Sequence, residues 1–366
     1  MSDVNITSGK ATAYKIPTDA PESDGTFAWD STTLVIVELE ADGHHGLGYT
    51  YAHALAAPLA NELLKQHVIG CDPFEINQMF SAMRKQQRNY GREGIAATAL
   101  SAIDIALWDL KAKLLKQPLS RLLGQVRAGA PVYGSGGFTA YDDAQLQAQL
   151  GGWVADGIPR VKMKLGTHPD DDLRRVSLAR QAIGDTAELF VDANGAYARK
   201  QALAFAHRFK GEYNVLWFEE PVSSDDLDGL RLLRDHGPAG MDIAAGEYGW
   251  TAMYLRNMIN AGAVDVIQAD ATRCGGVTGF MDAVALADAT PLPISAHCGP
   301  SVHMHLACAA RPLRHVEYFH DHVRIESMLF DGFRKPVDGQ MYPDLSRPGL
   351  GLDFKHADAE RYRHDV

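Results

Sequence analysis

The sequence contains few cysteines, no excess of basic residues and no long apolar run. The four cysteines among 366 residues show no CxxC spacing, so we expect buried, reduced thiols and not a disulfide framework or zinc site. Basic residues number 35 against 46 acidic ones, and the net charge of −11 disfavours a nucleic-acid or anionic-membrane surface. No run approaches the roughly 18 apolar residues of a membrane span. The N-terminal residues show no basic segment followed by an apolar one, so we expect no secretory signal and a cytoplasmic protein.

The chain is long enough, and with 46% hydrophobic residues apolar enough, for a large barrel plus a smaller domain. The first third predicts an α+β cap. Thr32–Glu40 and Gly48–Tyr51 are strand-like runs separated by a turn signal, and Ile95–Leu115 carries apolar residues at helical spacing. Pro118 is expected to end that helix.

From about Pro131 onward, short apolar strands alternate with helical stretches at intervals of about 25 residues, which predicts a parallel β/α barrel. The eight strand candidates are residues 131–137, 160–166, 188–195, 214–221, 242–247, 265–270, 292–299 and 315–319. We therefore predict a cap over residues 1–128, a barrel over 129–330, and a C-terminal segment over 331–366 that returns to the cap.

Two lysines end the second strand of the predicted barrel. Lys162 and Lys164 are two residues apart, so their side chains share one face, which we expect to be the barrel interior. The alternative is a pair of solvated lysines at a rim. Two ammonium groups in one cavity repel each other and lose solvation, and both effects are expected to lower the lysine pKa toward that of a general base.

Carboxylates end the next three strands: Asp192, Glu219 and Glu247. A single carboxylate at such a position often caps the following helix, but three converging on one mouth call for a cation between them. All-oxygen ligation predicts Mg²⁺, with Mn²⁺ as the alternative. Asn194 is expected to bind the substrate or a metal-bound water, and Glu220 is expected to point away from Glu219.

The last three strands end in Asp270, His297 and Glu317. A lone histidine on an apolar strand is more often a core residue than a catalyst. An aspartate on the adjacent strand, however, fixes the imidazole tautomer and stabilises its charged form, so we predict an acid–base pair. Glu317 is the remaining acid, and it is predicted to donate a proton or a hydrogen bond to a developing enolate oxygen.

The ordered strings KMK, VDAN, WFEEP, AAGE, QADATRCGG and ISAH resemble the mandelate racemase subgroup of the enolase superfamily over nearly the whole chain. The resemblance implies an α/β fold, a (β/α)7β modified TIM barrel with an N-terminal α+β capping domain. The branch of muconate cycloisomerases and dipeptide epimerases is disfavoured, because it places a second lysine on the sixth strand. Here that strand ends in Asp270-Ala271-Thr272-Arg273.

The resemblance also implies a role for each residue. The three carboxylates would hold Mg²⁺, and Lys164 would be one base. Lys162 would neutralise the substrate carboxylate and lower the pKa of Lys164. His297, oriented by Asp270, would act on the opposite face of the substrate, and Glu317 would hydrogen-bond a metal-stabilised enediolate.

Loops of the cap are expected to supply substrate contacts. The resemblance implies that Asp19–Asp30 and Gly43–His53 close over the substrate. The residues predicted to contact it there are Trp29, His44, His45 and Tyr51. His320 and His322 are predicted in a loop at the mouth, where they either touch the substrate or are solvated.

The expected activity starts with abstraction of the proton next to the carboxylate of a small substrate. Dehydration of a sugar acid is the first prediction, because such dehydratases are common in the subgroup and the histidine-rich loops suit a polyol. Racemisation or epimerisation of a 2-hydroxy acid and cycloisomerisation of a sugar lactone remain alternatives. A non-catalytic binding protein on the same barrel is disfavoured, because no essential group is missing. Related barrels also imply a homo-oligomer, a dimer or an octamer.

Overall fold

The computed structural model describes residues 4–365. The chain begins with a three-stranded antiparallel sheet of order β1-β2-β3, formed by β1 (Ser8–Ser23), β2 (Ala28–Ala41) and β3 (His44–Tyr51). The predicted turn at Asp42 and Gly43 joins β2 to β3, and both turn residues have positive φ. Strand β1 was not predicted, because its alternation of polar and apolar residues is interrupted by prolines and charges.

Four helices complete the cap: α1 (Ala56–His67), α2 (Ile76–Gln86), α3 (Ile95–Leu114) and the short α4 (Leu119–Leu122). Helix α3 lies directly on β3, since a Cβ at Gly46 or Gly48 would collide with the backbone of Ala106 or Ala102. The buried carboxylate of Asp109 on α3 accepts the backbone N–H of Leu47 at 2.7 Å. The predicted long helix and its role in an α+β cap are confirmed.

The barrel contains eight parallel strands that follow the predicted segments: β4 (Ala130–Gly136), β5 (Arg160–Lys164), β6 (Glu188–Asp192), β7 (Val215–Glu219), β8 (Asp242–Ala245), β9 (Val266–Ala269), β10 (Ile294–Ala296) and β11 (Leu313–Phe319). Pairing of β11 with β4 closes it. The alternating helices are α5 (Asp143–Ala155), α6 (Asp172–Ile183), α7 (Arg199–Tyr213), α8 (Leu227–His236), α9 (Ala252–Asn260), α10 (Gly276–Ala289) and α11 (Pro300–Ala309). A further helix, α12 (His320–Leu329), follows β11. The predicted modified barrel with a cap is confirmed.

Strand alternation separates the barrel's two surfaces. Val161 and Met163 of β5 are fully buried in the layer shared with the outer helices, whereas Lys162 points inward with its Nζ 5.4 Å from the centre of the Tyr133 ring. Apolar side chains from five of the strands fill the interior: Tyr133, Phe190, Trp217, Ala244 and Val266. This plug leaves only the C-terminal ends of the strands open to substrate.

The remaining chain consists of short elements: β12 (Phe330–Asp331), β13 (Gln340–Met341), β14 (Asp353–Phe354) and α13 (His356–Ala359). Strand β13 pairs antiparallel with β4, and the N–H of His364 donates to the carbonyl of Ala13 in the cap. The N–H of Leu350 donates to Asp109 of α3 at 2.6 Å, so the cap helix holds this segment. The residue boundaries of the three predicted domains stay a prediction.

Within residues 4–365, none of the helices combines the length and the hydropathy needed to cross a bilayer. The four cysteines are free, and Cys274, Cys298 and Cys308 are buried as predicted, while Cys71 is only partly buried.

Candidate active site

The C-terminal ends of the barrel strands bring the predicted ionisable side chains to one place. Lys162 is held by three carboxylates, with its Nζ 2.6 Å from Glu219, 2.8 Å from Glu317 and 3.2 Å from Asp192. Lys164, two residues further along β5, lies 2.5 Å from Asp192. Both lysines are buried and neither is a solvated rim residue.

Asp192, Glu219 and Glu247 form a compact group of buried carboxylates. One oxygen from each lies within 4.8 Å of the oxygens of the other two. The indole N–H of Trp217 donates to Glu219 Oε2 at 2.9 Å and fixes that carboxylate from below. Three buried anions at this spacing, all with hard oxygen donors, fit a divalent cation such as Mg²⁺ or Mn²⁺ and do not fit zinc's preferred nitrogen and sulfur ligands.

The expected lowering of the lysine pKa is not found in this charge arrangement. Burial alone lowers the pKa of both amines, but the neighbouring carboxylates outweigh it and raise the pKa above its ordinary value, through Glu219 and Glu317 for Lys162 and through Asp192 for Lys164. The expected lowering follows from burial and from repulsion between the two lysines, whereas the anions beside them act in the opposite direction. An amine with a raised pKa keeps its proton more tightly, so the role of Lys164 as a base stays a prediction that requires these neighbouring charges to be neutralised.

His297 at the end of β10 is oriented as predicted by Asp270, whose Oδ2 lies 2.9 Å from Nδ1. Its other nitrogen, Nε2, lies 3.1 Å from Glu247 and 3.6 Å from Glu317. Burial alone would lower the pKa of His297. The surrounding negative groups outweigh burial, and the pKa lies well above 6.5. The imidazole is therefore set up to be a cation, and Asp270 positions it.

Glu317 of β11 is a charged acceptor in this structure. Burial raises its pKa, but Lys162 and His297 outweigh burial and lower it below the ordinary value. Its Oε2 accepts the backbone N–H of Cys298 at 3.1 Å. To donate a hydrogen bond, as predicted, Glu317 must first take up a proton.

Among the described residues, the three carboxylates that could hold a metal include Glu219 and not Glu220, and the orientation of Glu220 away from Glu219 stays a prediction. The φ of Glu220, +37°, places it in the left-handed region, so strand alternation ends at Glu219. Its buried Oε1 has no hydrogen-bond partner among the described residues. Burial and then the negative charges of Glu247 and Asp192 raise the pKa of Glu220. Asn194 also has positive φ, and its N–H donates to Asp192 Oδ1 at 2.9 Å.

The tip of the β1–β2 hairpin covers the barrel mouth. Thr139 and Thr167, which follow β4 and β5, donate hydroxyl hydrogen bonds to the carbonyl of Asp24 at 2.9 and 2.6 Å. Gly25 packs so closely on the carbonyl oxygens of Leu165 and Ala193 that a Cβ would collide with both. The hairpin tip, a strand end followed by a tight turn, therefore packs on the barrel. It lies within the segment predicted to be a cap loop.

A cavity of about 480 Å³ lies between the hairpin and the barrel. Lys164, Glu247, His297 and Glu317 line it from the barrel. Of the predicted substrate-contacting residues, those that line it are Asn194, Trp29, Tyr51 and His322. The rings of Tyr51 and His322 stack at 3.4 Å between centroids. His322 lies in the first turn of α12 and is buried, so the prediction of a solvated loop is wrong.

His45 and His320 are not brought to this cavity. His45 lies at the opposite end of β3 from Tyr51, six residues or about 20 Å along an extended strand, next to Lys113, whose Nζ donates to its carbonyl. Neighbouring His44 lies at the same end and lines a separate surface pocket with it. His320 begins α12, and its Nε2 lies 3.1 Å from the carboxylate of Asp19 outside the cavity.

Several cavity residues were not predicted. Cys298 follows His297 directly, with its Sγ 3.3 Å from Nε2, and Arg273 lies in the QADATRCGG string that carried the resemblance. Tyr248, Phe27 and His53 are further examples. The adjacency of Cys298 to His297 was visible in the sequence, whereas Phe27 and His53 come from cap segments whose seating depends on the tertiary structure.

Glu22 is a buried carboxylate of β1 beside the mouth. Trp29 Nε1 donates to its Oε2 at 2.7 Å, and Oε1 has no partner among the described residues. Burial and then the charge of Asp321 raise its pKa from 4.5 to about 8. Because the folded pKa lies above the unfolded one, ionisation of Glu22 opposes folding, and stability is lost as pH rises from about 4.5 through about 8.

We therefore expect Glu22→Gln to be nearly neutral at pH 5 and to stabilise the protein by about 2–4 kcal/mol at pH 9. Glutamine keeps an acceptor for Trp29 and cannot ionise. Urea unfolding at both pH values measures the difference. Glu75→Gln, at an exposed position, is the control and should show no such trend. An equal effect of Glu22→Gln at pH 5 and pH 9 would contradict the assignment.

Comparison with known proteins gives matches along most of the chain. Residues 12–124 match the family described as mandelate racemase / muconate lactonizing enzyme, N-terminal domain, and residues 145–359 match the enolase C-terminal domain-like family. The crystal structure of a mandelate racemase/muconate lactonizing enzyme-like protein from Rubrobacter xylanophilus is 50% identical, covers 98% of this chain and 100% of that chain, and superposes with a TM-score of 0.94.

Two of the similar proteins are enzymes of named activity. The 3,6-anhydro-alpha-L-galactonate cycloisomerase of Streptomyces coelicolor is 34% identical over 93% of this chain and 95% of its own length. The structure of L-talarate dehydratase from Polaromonas sp. JS666, complexed with Mg and L-glucarate, is 30% identical, covers 99% of this chain and 98% of that chain, and has a TM-score of 0.88. Similar proteins thus include a cycloisomerase and a magnesium-bound dehydratase.

Proposed function

The chain belongs to the mandelate racemase/muconate lactonizing enzyme family of the enolase superfamily, and from this premise we propose that it is a magnesium-dependent acid-sugar dehydratase. The observation that carries the proposal is the convergence of Lys164 and His297 on one cavity beside three carboxylates. An amine and an imidazole reach this cavity from different strands, so one can remove a proton while the other assists a leaving group.

Asp192, Glu219 and Glu247 are the residues that would hold Mg²⁺. When bound, Mg²⁺ would supply positive charge that stabilises the negative charge developing on the substrate carboxylate. Lys162 remains a cation, because Glu317 lies 2.8 Å from its Nζ on the side of β11.

Proton abstraction is assigned to Lys164. As the free amine, it takes the proton from the carbon next to the carboxylate, and the electron pair of that C–H bond moves into the carboxylate to give an enediolate. Lys162, buried at the end of β5, adds positive charge beside the site, and Glu317 would donate a hydrogen bond to the enediolate once it has taken up a proton from solvent. These groups stabilise charge that is absent in the substrate and present in the transition state, which is where stabilisation accelerates the reaction.

Loss of water is assigned to His297. The protonated imidazole donates its proton to the hydroxyl on the next carbon, the C–O bond breaks, and water leaves as the enediolate electrons form the C=C bond. The resulting enol becomes a 2-keto-3-deoxy acid. Lys164 then releases its proton to solvent, and His297 takes one up from solvent. The net reaction is therefore conversion of the substrate to the product plus water.

Cycloisomerisation is the second candidate, favoured by the similarity to the Streptomyces coelicolor cycloisomerase. The same two groups would remove the α-proton and return a proton while a ring C–O bond opens, and no water would be lost. We also propose that the protein is cytoplasmic. We propose further that it forms a homo-oligomer of two or eight subunits, whose mass light scattering would measure.

A screen of acid sugars, their lactones and 2-hydroxy acids with Mg²⁺ tests the proposal. We expect a product lighter than its substrate by one water, detected by mass spectrometry, and incorporation of deuterium from ²H₂O next to the carboxylate. An isomeric product would favour the cycloisomerase. Absence of both turnover and exchange across these classes would contradict the proposed function.

A further inference from the structure

The cavity has two sides of different character. The barrel side carries the cations and carboxylates of the proton-transfer site. The cap side is formed by hairpin and strand residues, among them Ser31, Thr32, Thr33 and His53. We propose that the substrate is a monocarboxylate polyol acid, an aldonate, and not a dicarboxylate aldarate. This inference rests on the dehydratase function proposed above and specifies its substrate class.

The charge on the cap side is negative. Asp24 lines the cavity there, and its Oδ1 is held by the backbone N–H groups of Thr26 and Phe27 at 2.7 and 2.8 Å. Among the described residues, no lysine or arginine of the cap lines the cavity. A second substrate carboxylate at this end would therefore meet a fixed anion and no cap cation, which disfavours its binding.

Two further histidines, His53 and His322, line the cavity. His53 Nδ1 accepts the backbone N–H of Leu55 at 3.2 Å, and His322 Nδ1 accepts that of Gly299 at 3.3 Å. A ring nitrogen that accepts an N–H carries no proton, so Nε2 is the nitrogen of each ring that can donate to the substrate. Such single N–H donors match the hydroxyl oxygens of a polyol.

Arg273 is the arginine that lines the cavity, and its guanidinium already interacts with carboxylates on the barrel side. Its Nη1 donates to the carbonyl of Glu247 at 3.2 Å and lies 3.4 Å from that carboxylate, while Nε lies 3.5 Å from Asp270. The rings of Tyr248 and Trp250 flank it at 5.6 and 5.9 Å. Arg273 therefore supports the metal and base groups and does not reach toward the cap.

Ser31, Thr32 and Thr33 and the aromatic residues Phe27 and Trp29 also line the cap side. Hydroxyls exchange hydrogen bonds with a polyol, and aromatic faces pack on its C–H groups. The cap side is therefore complementary to an uncharged end of the substrate. L-glucarate, the ligand in the Polaromonas dehydratase structure, is a dicarboxylate, so the inference separates this chain's substrate from that ligand.

Matched pairs of substrates that differ only at the terminal carbon test the inference: D-gluconate with D-glucarate, D-galactonate with galactarate, and D-arabinonate with D-arabinarate. In the pair with productive stereochemistry, we expect kcat/KM to be at least about 100-fold higher for the aldonate. An aldarate used as well as its aldonate overturns the inference and leaves the proposed dehydratase standing. Turnover and α-proton exchange with neither class overturn both.

A charge-adding variant provides the second arm. His53→Arg places a cation on the cap side and is expected to raise kcat/KM for the matched aldarate about tenfold relative to the aldonate. His45→Arg, the same change on an exposed residue at the far end of β3, is the control and should leave the ratio unchanged. Equal ratios in His53→Arg and His45→Arg would contradict the assignment of the cap side to the uncharged end.

Discussion

His297→Asn is expected to lower kcat for dehydration by about 10²–10⁴-fold and to leave α-proton exchange in ²H₂O largely intact. Asparagine removes the proton that would leave with the hydroxyl, while Lys164 still removes the α-proton. Lys164→Ala, in contrast, is expected to abolish both exchange and dehydration. Exchange is followed by proton NMR and dehydration by product formation, in the same Mg²⁺ buffer.

His320→Asn is the matched control, because this histidine lies outside the cavity against Asp19. Its kcat should stay within about threefold of the wild type, as surface changes away from the site do. If exchange disappears in His297→Asn and survives in Lys164→Ala, the two bases have exchanged roles. Full activity of either variant would contradict the assignment of that residue to proton transfer.

Glu219→Gln is expected to abolish stabilisation by Mg²⁺ and to lower kcat/KM by about 10³-fold or more, a loss of at least about 4 kcal/mol. Glutamine keeps an oxygen acceptor for Trp217 and removes one of the three charges that would hold the cation. In the wild type, Mg²⁺ at 100 times its Kd should add about 2.7 kcal/mol to the free energy of unfolding.

Thermal unfolding with and without Mg²⁺ measures this difference and does not depend on activity. Glu212→Gln, on an exposed site of α7 paired with Arg208, is the control and should keep the full Mg²⁺ shift. If Glu219→Gln keeps both the Mg²⁺ shift and the activity, Glu219 is not a metal ligand. Its buried neighbour Glu220 would then be the next carboxylate to test.

Strand periodicity accounts for what could be predicted. Side chains alternate with period two along a strand, so the positions of Lys162 and Lys164 relative to Val161 and Met163 follow from their spacing alone. Parallel barrel strands end at one mouth, which makes the convergence of Asp192 and its partners predictable once eight strands are recognised. These inferences need only local sequence and one topological rule.

Contacts between distant segments explain what could not be predicted. Glu220 departs from strand alternation because the chain turns into a left-handed conformation there. His45 and Tyr51 lie on the same strand and look equivalent in the sequence, yet only the seating of the cap on the barrel determines that Tyr51 reaches the cavity. Neither distinction is carried by composition or spacing.

The sequence by itself determined the barrel, the order of ionisable residues at its mouth and the all-oxygen donors for a divalent cation, because each depends on short-range spacing. Only the tertiary structure decided the charge state of those residues. The pKa of Lys164 is raised and not lowered because Asp192, 28 residues away, lies 2.5 Å from its amine. Coulomb energies depend on distances in space and on burial, and folding alone sets both.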